Sequence, residues 1–163
     1  MEPSLPPLNA CWEHYCWEFD VTVPAQAIAL IKQFEGLRLT PYKDGVGYGT
    51  IGYGHKIKPT ETFTEITPAQ ADDLCEQDAQ EAMDAVLNAV TVPLNDNQLS
   101  VLIDFTFNEG EGHLDNSGLL EVLNEGAYSQ VPQHLLQWNK AGGEIEMGLT
   151  RRRQAEVEIW NTP

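Results

Sequence analysis

Positive charge is scarce in this chain. Of 163 residues, nine are Lys or Arg against twenty-five Asp or Glu, for a formal net charge of −16. Phosphate binding normally needs a net basic footprint, so this balance argues against a nucleic-acid partner. Cysteine is scarce as well, with Cys11, Cys16 and Cys75 making up the three in the chain. An odd set at that density builds no disulfide framework and suits synthesis in a reducing compartment, with a Cys11 to Cys16 bridge left open. Cys11, His14 and Cys16 follow no established zinc spacing and have no fourth ligand nearby, so no metal is expected. No apolar run reaches the roughly 18–20 residues that a membrane span takes. The opening MEPSLPPLNACWEHYC lacks the basic start and continuous apolar stretch of a signal peptide. The expectation is a cytoplasmically made chain with no membrane span, reaching any outer target by another route.

What is present fits a soluble globular monomer with a sizeable core: 42% hydrophobic residues, 21% charged residues and four Trp. The charge is unevenly placed. Glu61 to Glu125 holds fifteen acids and no Lys or Arg, and all nine bases fall in two blocks, Lys32 to Lys58 and Lys140 to Arg153. An acidic surface that aids solubility accounts for this, and so does a polarised molecule whose basic blocks meet around an anionic ligand.

Residues 1–23 carry three Pro and four aromatics without helical or strand periodicity and read as an N-terminal extension to a domain spanning 24–163. Packing on the domain or control of access to a cleft are both open for the aromatics there. From Pro24, the spacing of Ala27, Leu30, Ile31 and Phe34 predicts a helix that Gly36 stops, leaving Glu35 as its last residue. Five Gly between Gly45 and Gly54, set among Tyr, Val, Thr and Ile, predict short antiparallel strands joined by tight turns. Thr67-Pro68-Ala69-Gln70 is a capping box with proline at the first helical position, predicting a long helix to about Asn88. Asp78 projects from the apolar stripe of that helix and needs a partner. A further helix through Leu99, Leu102, Ile103 and Phe107 ends near Gly110, shorter ones cover Gly118 to Asn124 and Ala127 to Trp138, and Asn139 to Gly143 reads as a loop. Thr150 caps a last helix ending near Trp160.

Glu35 and Asp44 are the candidate reactive pair. A helix C-terminus disfavours an ionised carboxylate by roughly 0.3–1 kcal/mol, and partial burial adds to that, so Glu35 suits a general acid. Asp44, on a glycine-flanked turn, suits the ionised role. Two carboxyls in contrasting settings are what glycosidic cleavage uses, and Thr50 adds a hydroxyl able to hold water. On spacing alone, an exposed helix-end Glu beside a turn-forming Asp reads equally well.

The pattern Glu-x8-Asp-x5-Thr, followed in order by FTFNEG, QWNKAGG and GLTRRRQAE, resembles the phage-type lysozymes of the T-even and lambdoid branches. The resemblance runs from Pro24 to about Trp160. It implies an α+β, lysozyme-like fold, in which a small N-terminal β lobe and a larger helical lobe are joined by a long helix with a cleft between them. It implies Glu35 as acid, Asp44 as the carboxylate that positions water and Thr50 as third member. It also implies hydrolysis of the β-1,4 bond between N-acetylmuramic acid and N-acetylglucosamine of bacterial peptidoglycan, with no cofactor. Asn108, Trp138 and Asn139 become candidates for lining the sugar cleft, although Trp138 also reads as core. The resemblance pairs His55 with Asp78, against the alternative of a neutral histidine on a backbone carbonyl. It sends Arg151 to Glu35, leaving Arg152 and Arg153 on surface acids, substrate or solvent. An endolysin and a delivered antibacterial effector carry the same domain. A non-catalytic wall-binding domain and a lytic transglycosylase are the rivals. The strong acidity departs from many cell-lysing relatives; with the basic blocks flanking the cleft and the acidic lobe pointing away from the wall, it implies activity that rises with moderate salt.

Overall fold

The computed structural model describes residues 22–45 and 47–163. The readings of Cys11, His14, Cys16 and the aromatics of residues 1–20 lie outside the described residues. The first helix, α1 (Ala25–Glu35), ends where Gly36 takes φ 68°, a left-handed conformation that side chains with a Cβ resist. Glu35 is thus the terminal helical residue. Three short strands follow, β1 (Arg38–Lys43), β2 (Gly49–Gly52) and β3 (His55–Lys56), forming an antiparallel sheet in the order β1-β2-β3. Pro41 cannot donate to a ladder, and the β1–β2 register slips between Arg38 and Tyr42, around it.

The long helix α2 (Pro68–Ala89) starts at the capping box: Thr67 accepts from the Gln70 amide, and the Gln70 side chain accepts from the Thr67 amide. Then come α3 (Asp96–Glu109), α4 (Glu111–Asp115), α5 (Gly118–Asn124), a 3₁₀ turn (Tyr128–Gln130) and α6 (Val131–Leu135). A small hairpin, β4 (Lys140–Ala141) with β5 (Glu144–Ile145), leads into α7 (Met147–Trp160).

Three apolar clusters hold this together, and α2 takes part in each. Ala71 packs under the sheet with Ile51 and Ile66. Cys75, Ala79, Ala82 and Met83 receive Ala27 and Ile31 of α1 and Ile103 of α3. Val86 enters the largest cluster, with Phe105, Leu114, Leu119, Leu123, Leu135 and Trp160. The small side chains along the first two-thirds of α2 let its neighbours approach closely, while its far end meets bulky ones. The result is the expected α+β, lysozyme-like architecture.

Three local expectations are corrected. Asn139 to Gly143 is part of a hairpin, because Gly142 and Gly143 both adopt positive φ (60° and 88°), as a two-residue hairpin turn demands. The segment Ala127 to Trp138 is divided, because Pro132 lacks an N–H and opens a new helix. A short α4 fills Glu111–Asp115, between the two predicted helices. The last helix begins at Met147, not after Thr150: Glu146 is its cap, accepting from the Leu149 amide at 2.6 Å. Thr150 instead returns its hydroxyl to the Glu146 carbonyl at 2.9 Å.

Candidate active site

The early start of α7 moves its three arginines out of the first turn and onto different faces. Arg151 is exposed, and its Nε donates to the Met147 carbonyl at 3.2 Å. Arg152, one residue on, is the partner of Glu35. Its Nη1 donates to Glu35 Oε1 at 2.5 Å. The expectation that Arg151 makes this contact is therefore wrong by one residue, which is a rotation of about 100° about the helix axis.

Arg152 also forms a two-pronged contact with Asp104 of α3, Nε to Oδ2 at 2.9 Å and Nη2 to Oδ1 at 2.7 Å. Asp104 is fully buried and Arg152 is 4% exposed, whereas the Glu35 side chain keeps 23% of its surface. Burial opposes the charged guanidinium, but the hydrogen bonds and charge of Asp104, with Glu35 behind them, outweigh it and raise the Arg152 pKa. The geometry is a guanidinium locked on a buried carboxylate and offering its remaining prong to the partly exposed one. The Phe34 ring lies 5.7 Å from the guanidinium carbon and covers another side of it.

Gly54, in the β2–β3 turn, bounds Glu35 from the opposite side. A Cβ there would stand 3.1 Å from Glu35 Oε2, and the backbone has φ +88°. Glycine is required for both reasons.

Asp44 follows β1 directly and is held by a turn. The Tyr48 amide donates to Asp44 Oδ1 at 2.8 Å, the Asp44 amide to the Tyr48 carbonyl at 2.9 Å, and the Gly47 amide to the Asp44 carbonyl at 3.0 Å. Thr50, 3% exposed, sits on β2 and donates its hydroxyl to the Tyr48 carbonyl at 3.2 Å. Tyr42 ties the two carboxyls to one neighbourhood. Burial raises its phenol pKa first and the charge of Glu35 adds to the rise, Arg38 works against it, and Asp44 adds a smaller share.

Beside Gly54 lies a cavity of about 290 Å³ between β3 and helices α2 and α3, lined by Lys56, Lys58, Asp78, Glu81 and Phe107 among others. On its sheet side, His55 is clamped by two carboxylates. Nδ1 lies 2.9 and 3.0 Å from the Asp78 oxygens, and Nε2 lies 3.0 Å from Glu61. Burial works against a charged imidazole, yet Glu61 and Asp78 outweigh it and raise the His55 pKa. Asp78 also shifts up, because its own burial exceeds the help from His55. Glu61, which the Lys58 amide holds at 2.7 Å before His55 adds its share, shifts down. The short contacts on both nitrogens identify an ion-paired histidine, so the His55–Asp78 pairing stands and Glu61 is a third member that sequence reasoning missed.

The remaining candidates fall as follows. Asn108 accepts from Arg153 Nη2 at 2.7 Å, so its carbonyl oxygen is engaged and its amide group remains. Trp138 stands edge-on to Phe105, with ring centres 5.3 Å apart, and packs against the largest cluster, with His113 at 5.5 Å. Asn139 accepts from the Glu146 amide at 2.9 Å through its backbone carbonyl, and its side-chain nitrogen lies 3.5 Å from the Thr150 hydroxyl. Arg153 is fully buried on Glu156 at 3.0 Å, also buried, where burial holds the Glu156 carboxyl well above the usual carboxylate range.

The sequence profile described as phage lysozyme matches residues 32–156. The chain belongs to the phage lysozyme family. Among similar proteins is the endolysin of Bacillus phage PZA, 39% identical over 137 residues that cover 83% of this lysozyme-family chain and 53% of the relative. The endolysin of Salmonella phage P22 is 35% identical over 136 residues, covering 81% of the chain and 93% of the relative. This family member therefore spans about half the length of the Bacillus phage relative. Among solved structures, the muramidase domain of SpmX from Asticaccaulis excentricus superposes with a TM-score of 0.79 at 32% identity, covering 86% of this chain and 98% of that one. A point mutant of P22 lysozyme superposes with a TM-score of 0.76 at 32% identity, covering 86% of this chain and 99% of that one. Among the described residues, no helix is long and apolar enough to cross a membrane.

Proposed function

We propose that this phage lysozyme is a peptidoglycan hydrolase, a muramidase acting on the β-1,4 bond between N-acetylmuramic acid and N-acetylglucosamine. The supporting observation is the contrast between two carboxyls that share one neighbour in Tyr42. Glu35 sits at a helix end against Gly54 and a buried guanidinium, and Asp44 sits in a solvent-facing turn held by backbone amides. In this reading Glu35 protonates the leaving oxygen, Asp44 positions the attacking water and the Thr50 hydroxyl helps hold it. Arg152 fixes the Glu35 carboxyl through one oxygen, leaving Oε2 on the Gly54 side for the substrate. Asn108, Trp138, Asn139 and Arg151 are proposed to line the sugar path, Asn108 through its amide group. The chain acts on the wall after a separate membrane lesion or delivery apparatus gives it access, with residues 1–23 as an extension to the domain.

The test is release of reducing ends from purified peptidoglycan by the wild type and by Glu35→Gln. Release by the wild type alone supports a hydrolase with Glu35 as acid. Anhydro-sugar ends from the wild type would replace it with a lytic transglycosylase. Binding to the wall without release would make this a binding domain.

A further inference from the structure

Behind the Arg152 clamp lies a buried carboxyl to which the proposed reaction gives no role. Glu156, one turn along α7 from Arg152, is fully buried, as are Arg153 and Asp104. Its Oε1 lies 3.0 Å from Arg153 Nη2, but that nitrogen donates to Asn108 Oδ1 at 2.7 Å. The Glu156 carboxyl is also hydrogen-bonded to the carboxyl of Asp104. Two carboxyls share a hydrogen bond only when one of them carries a proton. Asp104 accepts two guanidinium donors from Arg152 and is the charged member, so the proton belongs to Glu156.

The charges around the pair lead to the same assignment. Two cations of α7, Arg152 and Arg153, face Glu35 of α1 and Asp104 and Glu109 of α3, with Glu109 3.9 Å from Arg153 Nη1. Helix α6 also packs on α7, and its one titratable side chain, His134, stands against Gly118 of α5. Two guanidiniums thus already meet three carboxyls, and a fourth carboxylate in this buried place would have no charge to balance it. A protonated Glu156 satisfies both neighbours: its hydroxyl donates to Asp104 and its carbonyl oxygen accepts from Arg153. Contacts then run without a break from Glu156 through Asp104 and Arg152 to Glu35 Oε1.

We propose that Glu156 is a positioning residue for Glu35: by donating a hydrogen bond to Asp104 it fixes that carboxylate, and through it the Arg152 prong that holds the reacting carboxyl. This rests on the muramidase reading above and deepens it, since it extends the support of the acid to a side chain that touches no substrate. Glutamine is the informative replacement, because its amide donates, its oxygen accepts and it carries no charge. Leucine fills similar space with neither group.

The experiment measures pH–rate profiles for release of reducing ends by the wild type, Glu156→Leu and Glu156→Gln, each corrected to its folded fraction, with chemical denaturation alongside. Glu156→Leu should lower kcat about tenfold at unchanged KM, within the roughly 10²-fold that misplacement by about 1 Å costs. A loosened Arg152 favours the Glu35 carboxylate less, so the alkaline limb should move up by about half a pH unit, a fraction of what a full opposite charge gives. Glu156→Gln should restore both kcat and the limb. If Glu156 is instead an ionised partner of Arg153, both variants remove a negative charge and both limbs move down, which would overturn the proposal. Lower stability with wild-type profiles in both variants would overturn it as well, since a purely structural role predicts that result. Infrared spectra need no turnover: the wild type should show a protonated-carboxyl band at about pH 7 that Glu156→Gln removes. Absence of that band from the wild type would refute the assignment even where Glu156→Leu does not fold. A wild type that keeps the band and releases no reducing ends would instead remove the muramidase reading on which the proposal stands.

Discussion

Glu35 and Asp44 are held by different means. Glu35 is fixed from the helical side by Arg152, which is itself immobilised on a fully buried Asp104. Asp44 takes its hold from the backbone of its own turn, through the amide of Tyr48 four residues away. One carboxyl depends on the packing of α3 and α7, the other on a local loop. Damage to the helical packing should therefore reach Glu35 sooner than Asp44.

The largest expected effect is at the centre of this contrast. Glu35→Gln should lower the rate of glycan cleavage by about 10²–10⁴, the usual contribution of a general acid, with stability nearly unchanged because Asp104 still holds Arg152. A residual rate within about tenfold of the wild type would show that another group supplies the proton. Asp104→Ala should come next. It leaves a buried guanidinium with only the partly exposed Glu35, and chemical denaturation should show a loss of about 3–5 kcal/mol. Activity measured on the folded fraction should fall too, since the anchor for Glu35 is gone.

Arg153 and Glu156 sharpen the comparison from within the same buried region. Arg153 Nε and Nη1 lack hydrogen-bonding partners among the described residues, and burial holds the Glu156 carboxyl well above the usual carboxylate range, which marks a costly buried pair. Replacing both, Arg153→Met with Glu156→Leu, should be neutral or stabilising by about 1–4 kcal/mol, whereas Arg153→Met alone should destabilise. A double variant as unstable as the single would show that the pair stabilises the fold directly.

On the sheet side, the His55 clamp sets a pH dependence. The folded-state pKa of His55 is raised, so its contribution is fully present below the unfolded value near 6.5 and is lost as pH rises through the folded value. Asp78→Asn should lower the histidine pKa, seen by NMR titration, and remove about 1–3 kcal/mol of stability at about pH 5, with less effect at about pH 9. An unchanged titration would contradict the clamp. Smallest of all should be the effect of Asp44→Asn on stability, within about 0.5 kcal/mol, because the amide oxygen still accepts from Tyr48. Its activity should fall nonetheless, and retention of full activity would remove Asp44 from the mechanism.

Much of this is legible in the sequence. Gly36 ends α1 and Thr67 with Gln70 opens α2 because their conformational and capping chemistry is local. Asp78 is recognisable as an acid in an apolar stripe, and the same signal exists at Asp104, set between Ile103 and Phe105. The choice among Arg151, Arg152 and Arg153 is not legible, since it depends on where α7 begins. That start is fixed by Glu146, a residue type seldom found as an N-cap, while the more obvious Thr150 lies one turn inside. Glu61 could not be assigned to His55 from spacing, because the loop between them sets its direction by tertiary contact.

The course of α2 has one more consequence. Since its successive turns serve the cluster under the sheet, the cluster against α1 and the large helical cluster, neither lobe owns a hydrophobic interior separate from this rod. Opening either lobe exposes side chains of α2 that the other lobe relies on. The amides from Cys75 to Val86 should consequently be the slowest to exchange with deuterated solvent, at a rate matching global unfolding, with the β1–β2 turn exchanging far sooner.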